Sequence, residues 1–285
     1  VCVPTRGRPT ALARCLAALG RSTLAPEAFE IVVVGDGIDV ECPARGAAGA
    51  VPVVWRTRPR GGPAAARNLA AELARAPVLA FLDDDCVPEV DWLERILARV
   101  EAEPEAIVAG RVRNGLPDNR WAAASHMVLE VVVDMYNARP GEAGFAPTSN
   151  LAMGRDVFRG LGGLDERFRT AAAEDREFCD RSHDAGHPLV IEDAAVVEHF
   201  HDLDGRAFLA QAASYGRGEV TYRAVCAEHG RKPNVVRRSF YLRLVLAALA
   251  HGPRRAVPLV CLAAASQLVF LASYWSAGPW RVAGR

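Results

Sequence analysis

Between residue 1 and about residue 110, short and almost continuously apolar runs alternate with segments of helical periodicity, an alternation that leaves few folds open to the chain. The runs "VCV", "FEIVVVG", "PVVWR", "PVLAFL" and "AIVAGRVR" read as strands. Between them, "TALARCLAALG", "GGPAAARNLAAELARA" and "EVDWLERILARVEAEP" read as helices, the first closing at Gly20. Repeats of this kind predict βαβ units and a mostly parallel sheet flanked by helices. The uninterrupted "PVLAFL" suits a strand covered on both faces. Pro63 stands in the first turn of its helix, where a missing N–H has no partner to lose.

Beyond residue 115 the pattern weakens into a long loop region around one helix near 121–136. Residues 174–185 read as a helix ending at Gly186, then "PLVIED" and "AVVEHF" as extended segments. After about 205 the chain becomes helical and increasingly apolar, and 256–275 carries no charge. This predicts an α/β domain over 1–204, in two parts (1–112 and 113–204), with a helical C-terminal region over 205–285.

Three of the predicted parallel strands end in polar groups: Thr5 and Arg6 after the first, Asp36 after the second, and Asp83, Asp84 and Asp85 after "VLAFL". In an open α/β sheet the ligand crevice lies outside the carboxyl ends of the strands, so these groups are expected at one site. Consecutive carboxylates repel one another and cost stability unless a cation or several donors compensate them. A divalent metal is the economical explanation, and hard oxygen ligands favour Mg²⁺ or Mn²⁺, whose shells are commonly completed by substrate phosphates. A substrate bearing a diphosphate follows. The bland alternative is a solvated acidic turn. The segment "GGPAAARN" opens a helix whose free N–H groups can face an anion, with Arg67 one turn in. Taken alone it is equally a Gly-Pro helix start with a surface arginine.

Glu174 and Asp175 follow the small-residue run "TAAA" at a predicted helix start, where a carboxylate is a candidate general base and equally an ordinary dipole-stabilised N-terminus. His199 and His201 in "VEHFH" point to one face of an extended segment, where one can ligate a metal or both can simply be hydrogen-bonded.

The 34 basic and 34 acidic side chains balance, so net charge gives no reason to expect a nucleic-acid partner. Seven cysteines (Cys2, Cys15, Cys42, Cys86, Cys179, Cys226 and Cys261) show neither a C-x-x-C pair nor regular spacing. Their usage, with no basic-then-apolar leader before "VCVPT", predicts a reducing, cytoplasmic setting.

In order, "VPTRGRP", "FEIVVVGDG", "GGPAAARN", "FLDDDCVP", "SNLAMGRDVFRGLGGLDERF", "AAEDREFCDR" and "VVEHFH" resemble the inverting nucleotide-sugar transferases of glycosyltransferase family 2, over about residues 1–202. The resemblance implies a GT-A fold, Rossmann-like in its nucleotide-binding half (1–112), with an acceptor-side half over 113–204. It further implies a UDP-, dTDP- or GDP-sugar donor and a divalent cation on the diphosphate. By motif position Asp36 contacts the base and Asp84 the ribose, Asp85 holds the metal with Asp83 beside it and His199 nearby, and Pro4, Thr5, Arg6 and Arg67 line the nucleotide pocket. Asp175 becomes the base that deprotonates the acceptor hydroxyl, Glu174 stands next to it, and the segment around Asn150 is the acceptor-side loop. The acceptor itself is left as a saccharide, a lipid-linked or a small molecule. Two positions depart from the family: Gly35 stands where an acidic pair is usual, and "HDLDG" replaces the arginine or tyrosine after the final His-x-His.

"LDDDCV" also fits the Asp-x-Asp signature of haloacid-dehalogenase-type phosphatases, but those carry it on their first strand and need a later basic residue before a final acidic pair, whereas Lys232, the only lysine, follows Glu174 and Asp175. A catalytically inactive sugar- or nucleotide-binding module on the same fold is the non-enzyme alternative, against which Asp85 and Asp175 are both present. The uncharged 256–275 segment, with Tyr274, Trp275 and Trp280 near its end and "RLVLAALAHGPRR" before it, predicts peripheral membrane attachment, while a helix hairpin packed on the domain is the soluble alternative.

Overall fold

The computed structural model describes residues 1–38, 44–138, 144–233 and 239–278, so Cys42 and Trp280 lie outside the described residues. Strands β1 (Cys2–Thr5), β2 (Ile31–Asp36), β3 (Val53–Arg58) and β4 (Val78–Leu82) are parallel and lie in the order β3-β2-β1-β4, crossed by α1 (Pro9–Leu19) and α2 (Pro63–Leu73). The apolar runs are continuous because both faces are covered. Val3, Val33 and Ala80 pack on α1 and on α3 (Trp92–Ala102), while Cys2, Val32, Val34 and Phe81 face the small side chains Ala64, Ala66 and Ala70 of α2. Each fully buried Val or Leu stabilises the sheet by about 1.5–3 kcal/mol.

The rest of the sheet is mixed. β7 (Asn150–Gly154) was not among the predicted strands; it inserts antiparallel between β4 and β6 (Ile107–Asn114). The two predicted extended segments join into one strand, β8 (Leu189–His199), parallel to β6 with a bulge at Gly110 and Arg111, and the short β5 (Cys86–Pro88) pairs antiparallel with its end. Among the described residues the full order is β3-β2-β1-β4-β7-β6-β8-β5.

Helices complete the molecule: α4 (Arg120–Tyr136), α5 (Arg155–Gly160), α6 (Glu174–Asp184), α7 (Gly205–Glu228), α8 (Ser239–Ala250) and α9 (Pro253–Ser276). Asn119 caps α4 by accepting from the Trp121 and Ala122 amides, and Asp204 caps α7 through the Ala207 amide at 2.7 Å. Met127 and Val131 of α4 share a core with Phe208, Phe240, Leu244, Leu259 and Ala263, so the C-terminal helices are seated on α4. The opposite faces of α8 and α9 leave Leu242, Leu246, Leu249, Val257, Leu268 and Trp275 exposed. Helix α9 is long and apolar enough to cross a membrane, and little of it is buried.

Candidate active site

Because β1 and β4 are neighbours, Thr5 at the end of one meets the triple aspartate after the other, and its Oγ1 donates to Asp84 Oδ2 at 2.5 Å. Arg8, just past β1, pairs with both Asp84 and Asp85. Sequence reasoning missed Arg8; the available signal was the second arginine of "TRGRP", whose partners are distant in the chain. The three carboxylates diverge. Asp83 is partly exposed and accepts from Arg67 Nη2 at 2.5 Å, Asp85 is buried, and Asp84 is 0 % exposed. Burial pushes the Asp84 carboxyl up to about 6, against the charge of Arg8 and the hydrogen bond from Thr5. Asp84, placed on the ribose by the resemblance, points inward in this structure, and both its oxygens are held by Thr5 and Arg8.

Burial alone would raise the Asp85 carboxyl as well, yet His199 and Arg8 hold it well below the usual carboxylate range, and Asp85 in turn raises His199. Pairing of Cys86 with His199 across β5 and β8 brings the imidazole there, with Nε2 3.2 Å from Asp85 Oδ1 and its ring stacked on His201 at 5.0 Å. Asp85 Oδ1 is buried without a hydrogen-bond partner among the described residues. An open carboxylate oxygen facing an imidazole nitrogen suits a divalent cation. The Cys86 thiol is within reach of the same point, but a hard cation such as Mg²⁺ or Mn²⁺ prefers carboxylate oxygen and imidazole nitrogen to sulfur. Asp85 and His199 are thus the ligands this corner offers.

The remaining donor-side residues are placed less uniformly. Pro4 and Thr5 are buried within β1 and Arg6 is exposed just beyond it. Asp36 is buried at the end of β2, where its oxygens accept from the Gly61 and Gly62 amides at 2.7 and 3.0 Å, so in this structure it holds the loop that opens α2. Arg67 is 3 % exposed and bridges two carboxylates, Asp83 and Glu174 (3.2 Å from Nη1), so in this structure it is an internal tie.

Glu174 and Asp175 begin α6, directly after Ala173, whose φ of 69° is left-handed and costs a non-glycine residue about 1–2 kcal/mol. Glu174 over-determines that turn: its Oε2 accepts from the Ala172 amide at 2.7 Å while Oε1 takes Arg67. Asp175 is half-buried and accepts only from the Arg176 amide, at 2.8 Å, with no ion pair among the described residues. Burial, and then the neighbouring Glu174 charge, push its carboxyl up to about 7. A carboxylate with that affinity for a proton, close to a corner able to hold a cation, has the properties of a general base.

Asn150 does not lie in an acceptor loop, which corrects that expectation. It is fully buried at the start of β7, where Oδ1 accepts from Trp92 Nε1 at 2.8 Å and Nδ2 donates to the carbonyls of Arg111 and Ala195 at 3.0 and 3.1 Å. Those carbonyls flank the β6–β8 bulge, where a Cβ at Gly110 would overlap Ala195. The amide therefore satisfies groups that the bulge frees from the ladder.

A curled mixed sheet with an acidic cluster at the ends of its parallel strands and a histidine opposite is the architecture of the GT-A glycosyltransferases. The chain belongs to glycosyl transferase family 2, whose sequence pattern matches residues 1–162. It is similar to the pre-mycofactocin glycosyltransferase of Mycobacterium tuberculosis (27 % identical over 270 residues, covering 91 % of this chain and 54 % of the relative). The validoxylamine A glucosyltransferase of Streptomyces hygroscopicus subsp. limoneus is 29 % identical over 226 residues, covering 67 % of this chain and 49 % of the relative. The chain thus spans about half the length of these curated relatives. Among solved structures, the mannosyltransferase PcManGT from Pyrobaculum calidifontis, in complex with GDP-Man and Mn²⁺, superposes with a TM-score of 0.60 at 17 % identity, over 99 % of this chain and 84 % of that one.

Proposed function

We propose that the chain transfers a sugar from a nucleoside-diphosphate donor to an acceptor hydroxyl with inversion at the anomeric carbon. The observation that carries this is the arrangement of a buried Asp85 oxygen facing His199 at 3.2 Å and a second carboxylate, Asp175, that starts α6 with no ion pair among the described residues. Asp175 takes the proton of the acceptor hydroxyl as that oxygen attacks the anomeric carbon from the side opposite the diphosphate. The carbon–oxygen bond to phosphate breaks, and the nucleoside diphosphate leaves with the electron pair. One carboxylate suffices, because no covalent enzyme intermediate is formed. Asp85 and His199 would hold Mg²⁺ or Mn²⁺, which supplies charge neutralisation for the departing diphosphate. Glu174 fixes the turn that presents Asp175, and Arg67 keeps Glu174 compensated.

The donor is a UDP-, dTDP- or GDP-sugar, and the role is in cell-envelope, polysaccharide or glycolipid synthesis. The exposed apolar faces of α8 and α9, with Arg243 and Arg254 exposed on the same two helices, fit an anionic bilayer surface, which would place the site beside a lipid-linked acceptor at the inner face of the membrane. Flotation with phosphatidylglycerol vesicles should carry the protein upward; protein left at the bottom contradicts this part.

The activity test is a panel of UDP-glucose, dTDP-glucose and GDP-mannose with Mn²⁺ and Mg²⁺ in parallel, read as donor hydrolysis and transfer. One donor should be consumed in a cation-dependent manner, and the product's anomeric configuration, read by NMR, should be opposite to the donor's. Retention of configuration would contradict the single-base route.

A further inference from the structure

At the carboxyl ends of β6 and β8 a pocket opens between α4 and α7, lined by Asn114, Ser125, His126, His199, Gln211 and Tyr215 among others. One edge is His199, which faces Asp85. The other is α7, drawn against the segment that precedes the base: a Cβ at Gly218 would stand 2.6 Å from the Ala172 carbonyl oxygen, Ser214 Oγ donates to Thr170 Oγ1 at 2.8 Å, and Arg176 pairs with Glu219. Burial first, and then the charges of Asp175 and Glu174, raise the Tyr215 phenol. The pocket thus has His199 at one edge and, at the other, the helix that packs on the segment before Asp175.

Its floor is a continuous polar chain. Ser125 Oγ on α4 meets Gln211 Oε1 at 2.9 Å, and Gln211 Nε2 meets Tyr215 Oη at 3.0 Å. An amide has a donor and an acceptor end, so it can hold both hydroxyls in either orientation; in one the Tyr215 hydroxyl has a proton to give a ligand, in the other a lone pair. Tyr215 is 42 % exposed, so it is accessible from solvent. Among the described residues the lining contains no carboxylate, lysine or arginine, and its ionisable groups besides Tyr215 are the imidazoles of His126, His199 and His201, so hydroxyl and amide groups are left to meet a neutral polyhydroxylated ring.

We propose that this pocket seats the acceptor, a glycoside or comparable polyol, and that Tyr215, positioned by Gln211 and Ser125, selects which hydroxyl meets Asp175. The proposal rests on the glycosyltransferase reading above. Tyr215 is then a specificity residue that touches substrate, and Gln211 a positioning residue that acts through it.

The test is steady-state transfer from GDP-mannose and UDP-glucose, with Mn²⁺, to octyl β-D-glucoside and octyl α-D-mannoside. Tyr215→Phe and Gln211→Ala should each raise the acceptor KM about tenfold, the scale of one lost hydrogen bond to a ligand, with kcat and donor KM moving less than about twofold. Ser125→Ala, at the far end of the chain, should act in the same direction by about two- to threefold. An unchanged acceptor KM overturns the proposal, as does a rise in donor KM instead, which would assign the pocket to the donor sugar. Wild-type donor hydrolysis without transfer to either glycoside overturns it while leaving the donor-site reading intact. Neither hydrolysis nor transfer overturns that reading and the proposal with it.

Discussion

The strand-end corner and the start of α6 are built from the same residue type and behave in opposite ways. At the corner Asp83, Asp84 and Asp85 each face a cation or an imidazole, and Asp85 is held below the ordinary carboxylate range. At α6, Asp175 has no ionic partner among the described residues and a like charge beside it, and its pKa is raised to about 7. Neighbours, more than burial, separate the two, since burial pushes both carboxyls upward. The separation suits a division of labour, with one region holding charge and the other moving a proton. Arg67, tied to Asp83 on one side and Glu174 on the other, is the joint between them.

The largest expected effect comes from breaking the corner. Asp85→Ala should lower transfer by about 10²–10³-fold and abolish the cation requirement for nucleotide binding, read by calorimetry with UDP, dTDP and GDP in the presence and absence of Mn²⁺. Unchanged cation-dependent binding would remove Asp85 from the ligand set.

The pH profile sharpens the other side. The active form of a base is deprotonated, and the Asp175 carboxyl is raised to about 7, so kcat/KM should climb roughly tenfold per pH unit below that value and level off above it. A flat profile from pH 5 to 8 would mean that Asp175 titrates at an ordinary carboxylate pKa or plays no part.

The smallest effect on chemistry and the clearest on stability belong to the joint. Arg67→Met strands Glu174, a buried carboxylate, and should destabilise the fold by about 3 kcal/mol or more. Adding Glu174→Gln should restore part of that loss, and thermal melts of the two single variants and the pair give the coupling directly.

Much of this division is legible in the sequence. Alternating apolar runs carried the βαβ half, and the strand-end rule brought Thr5 to the triple aspartate. The spacing of His199 and His201 put both rings on one face, where they stack. What escaped were features set by distant partners. β7 is a short strand whose start looks like a loop because Asn150 serves a bulge in other strands. Arg67 reads as a surface or anion-binding cation and Arg8 goes unnoticed, since nothing local reveals that their partners are carboxylates folded in from afar. The inward turn of Asp84 was likewise invisible, because a run of identical residues does not say which one faces the core. The pocket between α4 and α7 draws on four separate elements, and only the His199–His201 segment among them carries a recognisable motif.

If the two regions divide the work, Asp175 moves the proton without holding the donor. Asp175→Asn keeps the size and the hydrogen bond from the Arg176 amide while removing basicity, so calorimetric affinity for nucleotide with Mn²⁺ should stay within about twofold as transfer falls by about 10²-fold or more. Near-normal transfer by this variant, or loss of nucleotide binding in step with transfer, would contradict the separation of the two regions.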